Sequence, residues 1–347
     1  MLARLLSAIL MCVLAGGLGA MISVRAIAPA HKPPPSLQAL LLKYRRPANA
    51  PSPDDNPTTA AKVTLGRQLF YDPRLSGSGV IACASCHNPT LGWEDGRATA
   101  IGDHGARLPR RSPTLLDVAW VDPLFWDGRA ESLEDQARSP MAEHGEMNLR
   151  AAVAVQRVSS MPAYVQEFHA AFGAAPISIE AITRAIAAFE RTIVSGTTPF
   201  DRWVTGDESA VSDQAKQGFV LFNGKARCAS CHSGWRLTDD GFRDIGLPSN
   251  DPGRGHIVPG VAILDHAFKT PTLRNVAERG PYMHDGSIST LEGVIDHYDH
   301  GFVTRPSLAS QIGPLHLSAP EKHALVAYLR ALSSPQTRMA APVLPRG

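Results

Sequence analysis

Cys83-Ala84-Ser85-Cys86-His87 and Cys228-Ala229-Ser230-Cys231-His232 are two copies of one five-residue pattern, set about a domain length apart in a chain of 347 residues. Each position has a chemical reason. Two thiols one helical turn apart can add to the two vinyl groups of a haem, and the adjacent histidine then turns its imidazole to the iron as proximal ligand. A zinc ribbon would also use two Cys-X-X-Cys pairs, but it usually spaces them by about 15–20 residues. A thioredoxin-type redox site would need one pair in a βαβ setting. Two copies, each closed by histidine, point instead to two covalently bound haem c groups. Cys83 and Cys86 hold the first and Cys228 and Cys231 the second, with His87 and His232 as proximal ligands.

Working outward, each motif follows a similar run. Gly66-Arg67-Gln68-Leu69-Phe70 precedes the first, and Gly218-Phe219-Val220-Leu221-Phe222 the second. Both read as a short helix ending in Leu-Phe and leading through a loop to the motif. Between them, Ile179, Ile182, Ile186, Phe189 and Ile193 recur at three- and four-residue spacing, which predicts a long amphipathic helix within 177–194. Thr198 to Asp213 makes a crossover, with Ser212 placed to cap the helix leading to the second motif. Glu321 to Leu332 predicts another helix, with Leu325, Tyr328, Leu329 and Leu332 on one face. Few segments alternate with period two. The expected fold is all-α with long loops, in two cytochrome c-like domains over 60–197 and 198–335, followed by a flexible tail at 336–347.

The N-terminus carries a different signal. Arg4 and the amino terminus precede an apolar run from Leu5 to Val24, which reads as a secretory signal peptide over 1–26 and a periplasmic address. An uncleaved membrane anchor is the alternative, because the run is near the lower length limit for a spanning helix. Proline-rich 27–59 reads as a linker into the fold, interrupted by an apolar stretch at Leu37–Leu42 suited to docking as a helix. Of the five cysteines, Cys12 falls in the signal segment and the other four are spent in the two motifs. A net charge of +2 with scattered Lys and Arg excludes the concentrated basic face of a nucleic-acid binder.

Longer motifs surround the haem sites. Phe125-Trp126-Asp127-Gly128-Arg129-Ala130 is followed by Gln136 and then Glu146-Met147-Asn148. The second half contains Pro271-Thr272-Leu273-Arg274-Asn275-Val276 and Gly280-Pro281-Tyr282-Met283-His284-Asp285-Gly286. With these, the chain from about Leu65 to Leu332 resembles the bacterial dihaem cytochrome c peroxidases. The resemblance implies that the haem on His87 reacts with hydrogen peroxide, with Gln136 and Glu146 lining its distal pocket. Heterolysis moves a proton from the near oxygen to the departing one. A carboxylate can shuttle that proton while an amide orients the oxidant. Trp126 matches the family's tryptophan between the haems. His104 falls where many members place a removable sixth ligand to the first haem, although Asp103 looks inserted relative to that pattern.

The second haem departs from the typical member. Tyr298 stands where methionine usually serves as distal ligand, as in the MauG-like branch. Leu291, Val294, Ile295 and Tyr298 share one helical stripe, and His297 and His300 lie off it as weaker competitors. An anionic phenolate favours higher iron oxidation states, whereas methionine raises the potential. The resemblance also implies an electron source, either a small carrier protein (a cytochrome c or a cupredoxin) or residues of a partner protein substrate. A homodimer is compatible with the sequence. Family members commonly bind calcium between the domains. Here Arg111 replaces the asparagine before Ser-Pro-Thr, leaving carbonyls near Arg279 and Pro281 as candidate ligands. The competing reading is a dihaem electron-transfer cytochrome with no peroxide chemistry.

Overall fold

Two glycines decide how the principal helices cross. In the computed structural model, which describes residues 36–335 and 339–346, the helix Ala60–Tyr71 lies against the helix Ile179–Glu190. A Cβ on Gly66 would sit 1.8 Å from the carbonyl oxygen of Ala185. Only a residue without a side chain lets the two backbones touch. The second half repeats this arrangement. Helix Asp213–Asn223 lies against helix Ala319–Arg330, where a Cβ on Gly218 would sit 2.0 Å from the Ala324 oxygen. One turn beyond each glycine an aromatic pair closes the crossing. Phe70 meets Phe189 with ring centroids 5.2 Å apart, and Phe222 meets Tyr328 at 5.0 Å.

Local chemistry starts these helices where the apolar spacing placed them. Thr59, Ser178 and Ser212 each cap a helix by accepting from the backbone N–H three residues on. Glu321 accepts from the backbone N–H and hydroxyl of Ser318 at 2.8 and 2.9 Å. Around the first crossing, the helices Leu133–Ala142, Ala151–Ser159 and Pro162–Phe172 complete an apolar cluster that includes Leu65, Ile182 and Ile186. Around the second, Phe200, Trp203, Phe219 and Leu325 form the core. The changeover falls between Ile193 and Phe200. The described strands, Phe242–Arg243 and Phe268–Lys269, make one short antiparallel ribbon in a mainly helical chain.

Both ends of the described chain differ from the linker and free tail that the sequence suggests. A short helix begins at Leu37, and packing on the core begins at Leu40 and Leu41, not near Ala60. Leu41 and Tyr44 are buried in the second core, and the Tyr44 ring packs edge-on to Phe200 and Phe219. Its hydroxyl donates to Asn223 Oδ1 at 2.7 Å. Arg46 then donates to the carbonyls of Ser195 and Gly196, both at 2.7 Å. At the other end Met339 packs on the first core, and Arg67 donates to the Ala340 carbonyl at 2.5 Å. The reason is apolar burial. Each of these segments carries side chains that the opposite lobe can cover. The signal segment lies outside the described residues. No helix of the described residues is long and apolar enough to cross a membrane.

Candidate functional site

Each Cys-X-X-Cys-His motif forms a single tight turn, in which the histidine N–H donates to the carbonyl of the first cysteine at 2.9 Å. That turn puts both thiols and the imidazole on one side. The His87 Nδ1 then sits 3.2 Å from the Trp93 carbonyl, and the His232 Nδ1 sits 2.9 Å from the Leu237 carbonyl. Trp93 and Leu237 both adopt positive φ, 63° and 54°, which turns the carbonyl back toward the ring. Nδ1 is thereby the protonated nitrogen, and Nε2 keeps its lone pair for a metal. Burial lowers the pKa of both imidazoles and so favours the neutral form that ligation needs.

Both motifs open into one cavity of about 1000 Å3. Cys83, Cys86, Cys228 and Cys231 are free thiols on its wall. Burial pushes Cys86 up to about 11 and Cys228 up to about 12, with Cys83 higher still. Four free thiols in two pairs, beside two oriented imidazoles on a mainly apolar wall, fit two thioether-linked haems. No cluster of three or more His, Cys, Asp or Glu among the described residues would hold a bare metal ion.

On the first motif's side, Gln136 and Glu146 line the same wall. Gln136 rides on the helix Leu133–Ala142, whose start is capped by Ser132. Glu146 sits in the turn just after it. Burial raises the Glu146 carboxyl above its ordinary value, Arg129 pulls it back, and Glu143 pushes it up again. Arg129 is itself fixed, with its guanidinium 3.5 Å from the Phe125 ring centroid and 3.0 Å from both Asp127 oxygens.

The loop carrying His104 is tied to this wall, but the histidine faces away from it. Asp103 is buried and its carboxylate accepts from the Ser78 N–H at 3.1 Å and from the Ser78 hydroxyl. The Asp103 N–H donates to the Glu146 carbonyl at 2.6 Å. With Asp103 turned inward, His104 takes the left-handed conformation at φ 52° and its side chain is 72% exposed. His104 therefore stands off the cavity wall in this structure. The residue that looked inserted is the one that anchors the loop.

Trp126 lines the cavity that the two motifs share. Its indole N–H donates to the Arg111 carbonyl at 3.0 Å, and its own carbonyl accepts from the Lys269 N–H at 2.8 Å. On the second side, Thr290 caps the helix Leu291–Asp296, which continues into a wider turn over His297–Gly301. Leu291, Val294, Ile295 and Tyr298 all reach the cavity wall. Burial drives the Tyr298 phenol far above its ordinary value, and the neighbouring Cys228 and Cys231 push the same way. The competing histidines are committed elsewhere. The buried His297 ring has Nε2 2.9 Å from the Ile245 carbonyl, and the exposed His300 pairs with Asp299.

Three wall residues were not singled out in the sequence for any function. Glu190 is buried at the end of its helix, where burial pushes it up to about 8. Its signal was legible, since a glutamate one turn after Ile186 continues an otherwise apolar stripe. Lys269 donates to the Pro123 carbonyl at 2.9 Å and burial lowers it to about 8. His284 stacks on Phe268 with ring centroids 3.6 Å apart. Lys269 had no local signal, because its partner is distant in the chain, whereas His284 lay in one of the motifs that carry the resemblance, without a role.

Similarity to known proteins covers both halves of the chain. Residues 60–209 match the family model of di-haem cytochrome c peroxidase, and residues 215–333 match that of cytochrome c. The methylamine utilization protein MauG of Methylorubrum extorquens is 50% identical over 312 residues, spanning 89% of this chain and 88% of that protein. The cytochrome-c peroxidase IdrP1 of Denitromonas iodatirespirans is 40% identical over 320 residues, spanning 82% and 84%. Among solved structures, a MauG-like protein associated with microbial copper homeostasis is 33% identical. It superposes with a TM-score of 0.76, over 84% of this chain and 95% of that one.

Proposed function

Because this chain belongs to the di-haem cytochrome c peroxidase family, we propose that it is a periplasmic MauG-like oxidoreductase that reduces hydrogen peroxide at its first haem site. Two haems would be held by Cys83, Cys86 and His87 and by Cys228, Cys231 and His232. They would supply the iron that accepts peroxide and holds oxidising equivalents. The overall change takes up two electrons and two protons and releases two waters. The observation that carries this reading is the asymmetry of the cavity wall. Gln136 and a partly buried Glu146 stand on the first motif's side, and a partly buried tyrosine stands on the second.

Glu146 takes the proton from the near oxygen of peroxide and returns it to the departing one. Burial suits it to that work, because a carboxyl raised above its ordinary value takes up the transferred proton more readily. Gln136 orients the oxidant through its amide. Tyr298 would ligate the second iron, whose charge would overcome the burial that otherwise keeps its phenol protonated. Trp126 carries charge between the two sites, its indole held by the Arg111 carbonyl. The electrons come from a small carrier protein or from residues of a protein substrate. Tyr298 favours the second source, since a phenolate-ligated site holds oxidising equivalents.

The test is to mix hydrogen peroxide rapidly with the fully oxidised dihaem protein and follow its absorption. With His104 out in solvent, the spectrum is expected to change at once, without prior reduction. A reaction that waits for one electron would mean a closed first site and would overturn this reading. Glu146→Gln is expected to slow peroxide consumption by about 100-fold or more. Full activity in that variant would remove Glu146 from the acid-base role.

A further inference from the structure

The position that carries asparagine in the family pattern holds Arg111, and the contacts it makes do not suit calcium. Calcium takes six to eight oxygen ligands. The Arg279 carbonyl, a candidate for such a ligand, instead accepts from Arg111 Nη2 at 3.1 Å. The same Nη2 donates to one oxygen of Glu94, while Arg279 Nη1 donates to the other oxygen at 2.5 Å. A guanidinium is a donor only, so it cannot ligate a cation, and both Glu94 oxygens are taken. Arg111, Glu94 and Arg279 are 4%, 4% and 6% exposed. Two guanidiniums stand here, both paired to Glu94 and with Asp95 nearby, so the positive charge a dication would supply is already in place. Gly92 belongs to the same fit, because a Cβ there would lie 2.7 Å from the Arg279 side chain.

Arg111 is also a junction for three features of the site. Its N–H donates to the His284 carbonyl at 2.9 Å, and its carbonyl receives the Trp126 indole N–H. Its guanidinium holds Glu94, whose chain neighbour Trp93 supplies the carbonyl that orients the His87 ring. We propose that Arg111 takes the structural place of a calcium ion, tying the loop behind the first proximal histidine, and Trp126, to the second lobe without metal. It is a positioning residue, acting through Trp93 and Trp126.

The proposal is tested on the resting ferric dihaem protein, with no peroxide present, so its failure is distinct from failure of the peroxidase reading. After equilibration with calcium chloride and desalting, the wild type is expected to hold no stoichiometric calcium by elemental analysis. The chelator EGTA is expected to leave its Tm and both ferric electron paramagnetic resonance signals unchanged. Arg111→Gln is expected to lower Tm and shift the first-haem signal, and Arg111→Lys to restore part of both. One calcium per chain whose removal shifts the signals would overturn the proposal. So would an Arg111→Gln protein with wild-type Tm and spectra. If Arg111→Gln does not fold, the wild-type metal content and the lysine variant decide the matter.

Discussion

The two lobes share one packing scheme and differ at a few wall positions. In both, a glycine on the helix before the haem motif meets a carbonyl on a later helix, and an aromatic pair closes the next turn. In both, the motif histidine is steered by a carbonyl from a residue at positive φ. In the same register, the residue after the closing aromatic is Glu190 in the first lobe and Leu329 in the second, and both line the cavity. Gln136 and Glu146 face the first motif, where the second lobe supplies Tyr298. The frame is thus a holder for haem and carries no choice of chemistry. That choice lies in side chains whose replacement leaves the crossing intact.

The largest expected effect tests the shared frame. Gly66→Val and Gly218→Val each force a side chain into a backbone carbonyl, and each is expected to lower Tm by ~5 °C or more. Thermal unfolding that found one variant harmless and the other damaging would break the equivalence of the lobes. Tyr298→Phe tests the difference instead. It is expected to change one of the two ferric resonance signals and leave the other in place. If neither signal moved, Tyr298 would not be a ligand.

The smallest effect concerns Glu190. Its carboxyl sits at about 8 in the folded chain against an ordinary 4.5, so the folded state keeps a proton that the unfolded state releases. The stability this contributes is full below about pH 4.5 and is lost as pH rises through 8. Glu190→Gln has no proton to lose, so its Tm relative to wild type is expected to rise between pH 5 and 8. A constant difference across that range would mean that Glu190 is ionised in the fold. Leu329→Gln has no such pH dependence to remove, which makes it the control from the other lobe.

Much of this architecture was legible in the chain. The helix of Ile179 to Glu190, the Ser212 cap and the stripe ending at Tyr298 all follow from spacing within a few turns. His104 was not legible, because its direction depends on Asp103 finding Ser78 and the Glu146 carbonyl. The docking of Tyr44 on the second core was only half visible. Its apolar run could be read, but not the lobe that receives it.

By itself the sequence pointed to two covalently bound haems and to the residues that would hold them, since the two thiols for thioether linkage and the ligating histidine fall within one turn. It also determined the helical character of the chain, through apolar periodicity and capping residues. Tertiary structure alone decided that both motifs share one cavity, that Glu146 is buried enough to shift its carboxyl, and that Arg111 and Arg279 close on Glu94. The reason is physical. Covalent spacing is set along the chain, whereas desolvation, charge pairing and the facing of side chains depend on groups brought together from distant segments.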